Sequence, residues 1–367
     1  MPAIAVGGVM VGLSVPADLS EPMFPRFKID PFLAALAVVV ILALVWPDPG
    51  VTGGPLHADR AASWGIAVVF FLYGAALSTR KLLESATRWE LHIVVQLATF
   101  VLFPLVVVLS MPLLSRMFPE SVLIGFFFLA ALPSTVSSSV AMTSMARGNV
   151  PVAIFNASIS SLIGVFVTPL LMAWYLNATG EGMDIRDVII KLTIIVILPL
   201  VVGQLARPLI LGLIERHRAI VKMADRLVIL AIVYNAFCDS VAAGLWSKQS
   251  PTLLVEIAVV SVVLFALVYA LMLLVCRIGR FDHADTVAVT FCGSKKSLAT
   301  GLPMATVMFS AMPEISLIIT PIMIYHFLQL LIVGYLAGRH ASRAQMLEAI
   351  EESAAEEPSL LPDEEKK

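Results

Sequence analysis

Long apolar segments, separated by short stretches with prolines, glycines or charges, recur along the chain. A helix that crosses a bilayer needs about 20 mostly apolar residues. Ten segments approach that length: residues 31–46, 61–79, 90–111, 120–145, 150–175, 187–206, 225–245, 253–276, 285–309 and 315–337. Charged residues make up only 14% of the chain, against about 25% in soluble domains. We therefore expect an all-α polytopic membrane protein with ten transmembrane helices.

The overall charge and the cysteines argue against several other kinds of protein. The formal net charge at pH 7 is -2, so no basic surface argues for nucleic-acid binding. The three cysteines, Cys238, Cys276 and Cys292, lie in or beside apolar segments. Their spacing fits neither a disulfide framework nor a zinc site.

Lysine and arginine are distributed unequally between the two sides of the expected membrane domain. If the N-terminus is cytoplasmic, most basic residues fall in inside segments. The outside segments then hold only Arg60, Arg116, Arg186, Lys191 and Lys248. Cytoplasmic segments of membrane proteins carry an excess of Lys and Arg. We therefore expect both termini in the cytoplasm and the protein in the plasma (inner) membrane.

Three regions are expected along the chain. Residues 1–25 are interpreted as a disordered or misannotated extension, in which Met1 and Met23 are alternative starts. Residues 26–340 are expected to form the ten-helix domain, with one repeat over 31–175 and a second over 187–337. The basic stretch 207–226 is expected to be a loop. Residues 341–367 are an acidic cytoplasmic tail, expected as a short helix followed by disorder.

Two candidate spans are interrupted at matching positions. The fourth contains Leu-Pro-Ser-Thr-Val-Ser-Ser-Ser-Val at 132–140, and the ninth contains Cys-Gly-Ser-Lys-Lys at 292–296. Each is the fourth in a set of five, and because five is odd the second set crosses the membrane in the opposite sense. Interrupted helices at corresponding positions of inverted repeats are the best sequence pointer to a transporter's binding site.

The ninth span carries two adjacent lysines, Lys295 and Lys296. A lysine at mid-bilayer costs about 2.5–3.5 kcal/mol on insertion scales, so the pair needs a reason. Successive residues of a helix point about 100° apart, so the two cannot face one spot. We expect one to line the broken region and the other to snorkel or pair with a carboxylate; structural pairing of both is the alternative. Asp239 is the most obvious counter-charge, unless it lies near the outer end of its helix in reach of water.

Polar side chains in and near the broken spans are the candidate site. Segment 134–144 has seven hydroxyls in eleven residues, which can satisfy freed backbone groups or bind a cation or polar solute. Hydrogen bonds between helices are the plainer alternative for any single serine or amide. The candidate substrate- or ion-binding residues are Gln96, Ser137, Ser138, Ser139, Asn156, Ser158, Asn235, Asp239, Ser294, Lys295, Lys296 and Ser297.

Five motifs together resemble a known family. They are Phe27-Lys-x-Asp-x-Phe, Pro133 with its serine run, Ala153-Ile-Phe-Asn-Ala-Ser, Phe237-Cys-Asp, and Phe291-Cys-Gly-Ser-Lys-Lys-Ser-Leu-Ala-Thr-Gly-Leu-Pro-Met. Over about residues 25–340 the chain resembles the bile acid:sodium symporter family (solute carrier family 10), in its SBF-like branch with member 7 and bacterial relatives. The resemblance implies two inverted repeats, a panel domain (spans 1, 2, 6 and 7), a core domain (spans 3–5 and 8–10), and broken helices 4 and 9 that cross.

The resemblance implies only part of the family's sodium sites. The serine–asparagine pair of span four falls on Ser138 and Ser139, and the glutamine of span three falls on Gln96. The span-five hydroxyl positions fall on alanines, with Ser158 adjacent. The span-nine glutamate falls on Phe291 and its glutamine on Lys295. Gln96, Ser138 and Ser139 are thus the candidate sodium ligands, and our hypothesis is that Lys295 stands in for one sodium ion.

The leading functional expectation is a secondary, symporter-like transporter for a small organic anion that works by alternating access. It has no cofactor apart from sodium or proton coupling, which stays open. Alternatives are a non-transporting regulatory membrane protein, a membrane enzyme with Lys295 as nucleophile, and an arsenite carrier using Cys238 or Cys292. No metal cluster, nucleophile elbow or phosphate loop favours an enzyme.

Overall fold

The structure is a computed structural model that describes residues 31–76, 88–179, 190–244, 246–309 and 312–356, apart from Leu192 and Pro251. The expectations for residues 1–25 and for the end of the tail lie outside these residues. Within them every regular element is a helix and no strand forms. The expected all-α class is therefore confirmed.

The helices follow the apolar segments. In the first half they are α1 (Pro31–Val45), α2 (Ala58–Ala76), α3 (Trp89–Leu97), α4 (Phe103–Leu114), α5 (Glu120–Ala131), α6 (Ser137–Met145) and α7 (Val150–Thr179). In the second half they are α8 (Leu198–Arg216), α9 (Arg218–Ala242), α10 (Leu253–Ile278), α11 (His283–Gly293), α12 (Leu298–Met308) and α13 (Ile315–Glu356). π-helical turns at Ala98–Leu102 and Thr193–Ile197 make α3–α4 and the start of α8 continuous.

Five helical stretches are long and apolar enough to cross a membrane, judged by length and composition. They are Trp89–Leu114, Val150–Thr179, Thr193–Arg216, Leu253–Ile278 and Ile315–Ala341, and Ala34–Val45 and Glu120–Ala131 are shorter apolar helices. Several aliphatic side chains on these helices are exposed, such as Leu109, Leu209 and Val255. An apolar exposed surface on long helices is what lipid contact requires, so the chain is an integral membrane protein.

Both interruptions predicted from the sequence are present. The fourth apolar segment is divided into α5 and α6, with residues 132–136 between them, and the ninth into α11 and α12, with residues 294–297 between them. Proline has no N–H to continue the helical hydrogen bonding, and α5 ends just before Pro133. After the second interruption the Ser297 hydroxyl caps α12 by accepting a hydrogen bond from the Thr300 N–H at 3.2 Å, as N-cap serines do.

One expected boundary is wrong. The basic stretch 207–226 is not a loop, because α8 continues to Arg216 and α9 begins at Arg218. Hydropathy marks where a helix leaves the bilayer, whereas Arg, Lys and Glu are good helix formers in water. The same propensity extends α13 through residue 340 to Glu356, in the part of the tail where the sequence predicts a short helix.

The helices pack in two groups. In one, α1 and α2 pack on α9, and α8 packs on α2 and α9. In the other, α3 to α7 pack with α10, α11 and α13, and α12 packs on α13. Within this group Phe126 to Ala131 of α5 are fully buried. The principal contacts between the groups are those of α9 with α12 and α13. Both interruptions belong to the second group.

Candidate functional site

The two interruptions meet, and we call residues 132–138 and 292–297 together the crossing. The Ser297 N–H donates to the Pro133 carbonyl at 2.8 Å. In the other direction the Ser134 hydroxyl donates to the Cys292 carbonyl at 2.6 Å. Each interruption thus supplies hydrogen bonds to backbone that the other has released from its helix. Such reciprocal pairing is needed because unpaired backbone groups at membrane depth cost several kcal/mol each.

Helix α7 supports the crossing by close approach. The Ser160 hydroxyl accepts a hydrogen bond from the Ser134 N–H at 3.0 Å, and the Thr168 hydroxyl donates to the Ala131 carbonyl at 2.7 Å. Between them lies Gly164, where a Cβ would lie 2.7 Å from Pro133 side-chain atoms. Only glycine therefore lets α7 come this near to the break.

Lys296 is held by backbone carbonyls. Its ammonium donates to the carbonyl of Thr99 at 2.8 Å, of Ala130 at 2.6 Å and of Leu132 at 2.8 Å. It also lies 4.3 Å from the centre of the Phe103 ring. Three donors meet three acceptors, so the ammonium is saturated. We call these three carbonyls and the ring the carbonyl cage.

The sequence explains why these carbonyls are available. The π-helical turn shifts the backbone bonding by one residue, so that the Phe103 N–H donates to the Ala98 carbonyl. The next residue, Pro104, has no N–H to offer Thr99. At the end of α5, the Ser134 N–H turns to Ser160 and leaves Ala130 free. One lysine therefore satisfies carbonyls released at two separate irregularities.

Helix α13 fixes the backbone of the second interruption. Gln329 forms a two-way pair with Lys296: its side-chain oxygen accepts from the Lys296 N–H and its amide donates to the Lys296 carbonyl, both at 2.8 Å. The Tyr325 hydroxyl donates to the Ser294 carbonyl at 2.7 Å. Sequence analysis missed both residues. Their spacing of four places them on one face of the tenth span, which was the available signal.

Lys295 lies at the same depth but in a different environment. Its side chain is 0% exposed, and its ammonium has one hydrogen bond, a long one of 3.4 Å to the Ser138 hydroxyl. Ser138 in turn donates to Thr135 at 2.8 Å, and Thr135 and Ser139 share a 2.9 Å hydrogen bond. The two lysines point to different sites, as the sequence predicts, but they lie in the non-helical break between α11 and α12.

No carboxylate balances these lysines in the described part of the chain. Asp239, the expected counter-charge, accepts hydrogen bonds from the N–H and hydroxyl of Thr52, both at 2.7 Å. Asn235 bonds the Gly50 carbonyl at 3.0 Å and Asp239 at 3.3 Å. Asp239 therefore does not pair with a lysine. Of the two alternatives, the structure shows the second: Asp239 lies near the C-terminal end of α9, where it holds the loop before α2.

The remaining candidates are dispersed around the crossing. Gln96 donates to the side chain of Asn156 at 3.2 Å, and its own side-chain oxygen is buried without a partner. Ser294 donates back to the Thr290 carbonyl at 2.7 Å. Ser158 is half-buried and Ser137 is exposed. The structure thus brings Lys295 together with Ser138, and Gln96 together with Asn156.

The candidate sodium ligands do not fit a sodium ion. Sodium is a hard cation that prefers oxygen ligands, carboxylates among them, yet the Ser138 hydroxyl faces the Lys295 ammonium. At about 4 Å, two unit positive charges repel by about 4 kcal/mol at an effective dielectric constant of about 20. The only buried carboxylate among the described residues, Asp285, forms an ion pair with Arg88 and accepts from Asn149 at 2.7 Å. That cluster joins the starts of α3, α7 and α11, away from the hydroxyls.

The three cysteines are buried thiols, and they form no disulfide among the described residues. Cys292 belongs to the crossing, where its thiol is 3.8 Å from the Ala153 carbonyl. The arsenite alternative calls for an accessible membrane cysteine. Neither Cys238 nor Cys292 provides one in this conformation.

Long apolar helices and two interrupted helices that meet around buried ammonium groups define a class, the polytopic membrane proteins built as secondary transporters. The sequence model described as the SBF-like CPA transporter family matches residues 30–342. The chain belongs to that family, as the resemblance in its motifs predicts. Its family is one of transporters and not of enzymes.

Three relatives show the range of similarity. An uncharacterized protein of Pseudomonas aeruginosa is 41% identical over 319 residues, 87% of this chain and 95% of the relative. The protein YfeH of Escherichia coli K12, which carries the provisional name of a symporter, is 38% identical over 328 residues, 89% of this chain and 98% of the relative. Sodium/bile acid cotransporter 7 of Danio rerio is 31% identical over 313 residues, 84% of this chain and 93% of the relative.

Proposed function

We propose that the chain is a secondary transporter that moves a small organic anion across the membrane by alternating access. In this proposal ten spans form two inverted five-helix repeats, both termini are cytoplasmic and the protein resides in the plasma membrane. The match to a transporter family supports the proposal. So does a relative whose name describes cotransport of sodium and bile acids, the latter being organic anions.

The observation that carries the proposal is the state of Lys295. It is fully buried, has one long hydrogen bond to a neutral hydroxyl, and has no carboxylate partner in the described part of the chain. A buried charge is costly unless it is paired and hydrogen-bonded. An anionic solute that enters the crossing would supply the missing partner, and each charge would offset the burial cost of the other.

Helix ends at the crossing favour the same sign of ligand. The short helices α6 and α12 both begin there, at Ser137 and Leu298. The N-terminal end of a helix carries a partial positive charge and unpaired N–H groups. The C-terminal ends of α5 and α11 meet there too, but carbonyls at the end of α5 are bound by Lys296. The two N-terminal ends beside the Lys295 ammonium would stabilise a carboxylate or sulfonate.

The packing of the helices is suited to alternating access. The described structure is closed, because the Lys295 ammonium is inaccessible while the neighbouring Ser138 is half-buried and Ser137 is exposed. The crossing lies wholly in one group of helices, whose principal contacts with the other are made by α9. Movement of one group against the other would open the crossing to either side in turn.

Counterflow exchange in proteoliposomes tests this function without assuming a coupling ion. Purified full-length protein is screened by thermal shift with cholate, succinate, benzoate and benzenesulfonate, and a stabilising anion is then loaded inside vesicles at high concentration. We expect labelled anion to accumulate with wild type and not with Lys295→Gln. Binding without exchange would indicate a non-transporting protein, and equal exchange by both proteins would contradict the role of Lys295.

A further inference from the structure

The carbonyl cage around Lys296 has the composition of a site for a monovalent cation. Three backbone carbonyl oxygens lie 2.6 to 2.8 Å from the ammonium, and the face of Phe103 is 4.3 Å away. Carbonyl oxygens replace the hydration shell of alkali metal ions in selective sites, and aromatic faces attract cations. None of these groups can be protonated or deprotonated, so the cage offers its occupant three acceptors and an aromatic face at any pH.

The charge of Lys296 belongs to the cage and is not available to a solute. All three donors of its ammonium are used, and its backbone N–H and carbonyl are both bound by Gln329. A neutral amine has only two N–H groups and would leave one carbonyl without a donor. Lys296 is therefore a fixed cation, in contrast to Lys295 with its single long contact.

We infer that Lys296 is a resident cation, which occupies within the protein itself a site that would otherwise take a monovalent cation from solution. Its ligands come from α4, from the end of α5 and from the π-helical turn, so the cation holds the first interruption closed. The inference also bears on the proposed function, because it implies that transport is not coupled to sodium. Only this implication rests on the proposed function.

The same reasoning extends to the oxygen cluster on the other side of the crossing. There the hydroxyls of Thr135, Ser138 and Ser139 form the second group of hard ligands, and the Lys295 ammonium faces it. Both oxygen-rich places in the crossing therefore already face a positive charge. The stability of the protein, and the transport proposed for it, should be independent of sodium.

Cation dependence of thermal unfolding tests the inference. Full-length protein is compared in sodium, potassium, methylammonium and choline chloride at equal ionic strength. Wild type should unfold at one temperature in all four. Lys296→Ala empties the cage and should unfold earlier, with a saturable recovery of a few degrees in a small cation and none in choline, which is too large.

Two matched variants make the result specific. Lys296→Met refills the cage with an uncharged chain of similar length and should show no recovery in any cation. Lys295→Ala removes the adjacent lysine, which is not caged, and should show none either.

The inference would be overturned by saturable stabilisation of wild type by sodium over choline. It would also be overturned if folded Lys296→Ala were indifferent to all small cations, or if Lys295→Ala recovered equally. Where Lys296→Ala does not fold, the sodium response of wild type decides alone. None of these outcomes depends on anion exchange, so the proposed function stands or falls separately.

Discussion

Replacing Lys296 with methionine is the most informative single perturbation of the crossing. Methionine has a similar length but no charge and no donor, so the carbonyls of Thr99, Ala130 and Leu132 would each lose a hydrogen bond of 2.6 to 2.8 Å. The side chain is fully buried, and water does not replace the lost donors. The variant therefore isolates the contribution of the caged ammonium.

The size of the effect follows from two opposing contributions. A buried acceptor left without its donor costs about 1–3 kcal/mol, so three cost about 3–9 kcal/mol. Removing the charge recovers about 3 kcal/mol, the cost of placing a lysine at membrane depth. From the middle of the range we expect a net loss of about 3 kcal/mol. At about 2 °C per kcal/mol for a chain of this size or somewhat smaller, the unfolding temperature should fall by about 6 °C.

Thermal unfolding of purified protein measures this loss, with Lys295→Met as the matched control. Lys295 is equally buried but has only the 3.4 Å contact with Ser138, so its removal relieves burial cost and leaves one hydroxyl affected. We expect its unfolding temperature to stay constant or rise. The reasoning is refuted if Lys296→Met is as stable as wild type, or if both variants lose the same stability.

Three further substitutions test other contacts. Tyr325→Phe leaves the Ser294 carbonyl without its 2.7 Å donor and should lower the free energy of unfolding by about 1–3 kcal/mol. Tyr335→Phe, on the exposed face of the same helix, should have no effect in the same denaturation assay. Equal effects of the two substitutions would count against the contact. Gly164→Ala should destabilise the protein, since its Cβ would lie 2.7 Å from Pro133. Gly212→Ala, whose Cβ would have nothing within 4 Å, should leave the free energy of unfolding unchanged or raise it by up to about 1 kcal/mol through helix propensity. A stable Gly164→Ala would disprove the close approach. Asp239→Asn should leave the affinity for anions unchanged in a binding titration, because Asp239 bonds the loop before α2; a weakened affinity would restore it as a counter-charge.

The interruptions could be predicted because their causes are local. The residues that interrupt the helices, namely Pro133, Gly293 and the run of hydroxyls, occur in the sequence at the positions where the helices end. The lysine pair could likewise be recognised as costly from its position in an apolar segment. Local chemistry and apolar length were therefore sufficient for the class of protein and for the position of the crossing.

The partners of the two lysines could not be predicted, for physical reasons. Lys296 binds backbone carbonyls, which every residue has, and only the three-dimensional arrangement shows that Pro104 and Ser134 leave Thr99 and Ala130 unsatisfied. From the sequence, Asp239 is the most obvious carboxylate partner, with a position near the outer end of its helix as the alternative. Charge complementarity does not specify depth along a helix, and Asp239 lies near the C-terminal end of α9, where it binds Thr52.

The central claim is that the Lys295 ammonium binds the anion at the crossing. The most direct measurement is the affinity of wild type and Lys295→Gln for the most strongly stabilising of cholate, succinate, benzoate and benzenesulfonate, determined by calorimetric titration in sodium and in choline. A charge-assisted hydrogen bond is worth about 1.5–3 kcal/mol, so we predict that Lys295→Gln binds about 10- to 150-fold more weakly in both salts. Equal affinity of the two proteins would contradict the account.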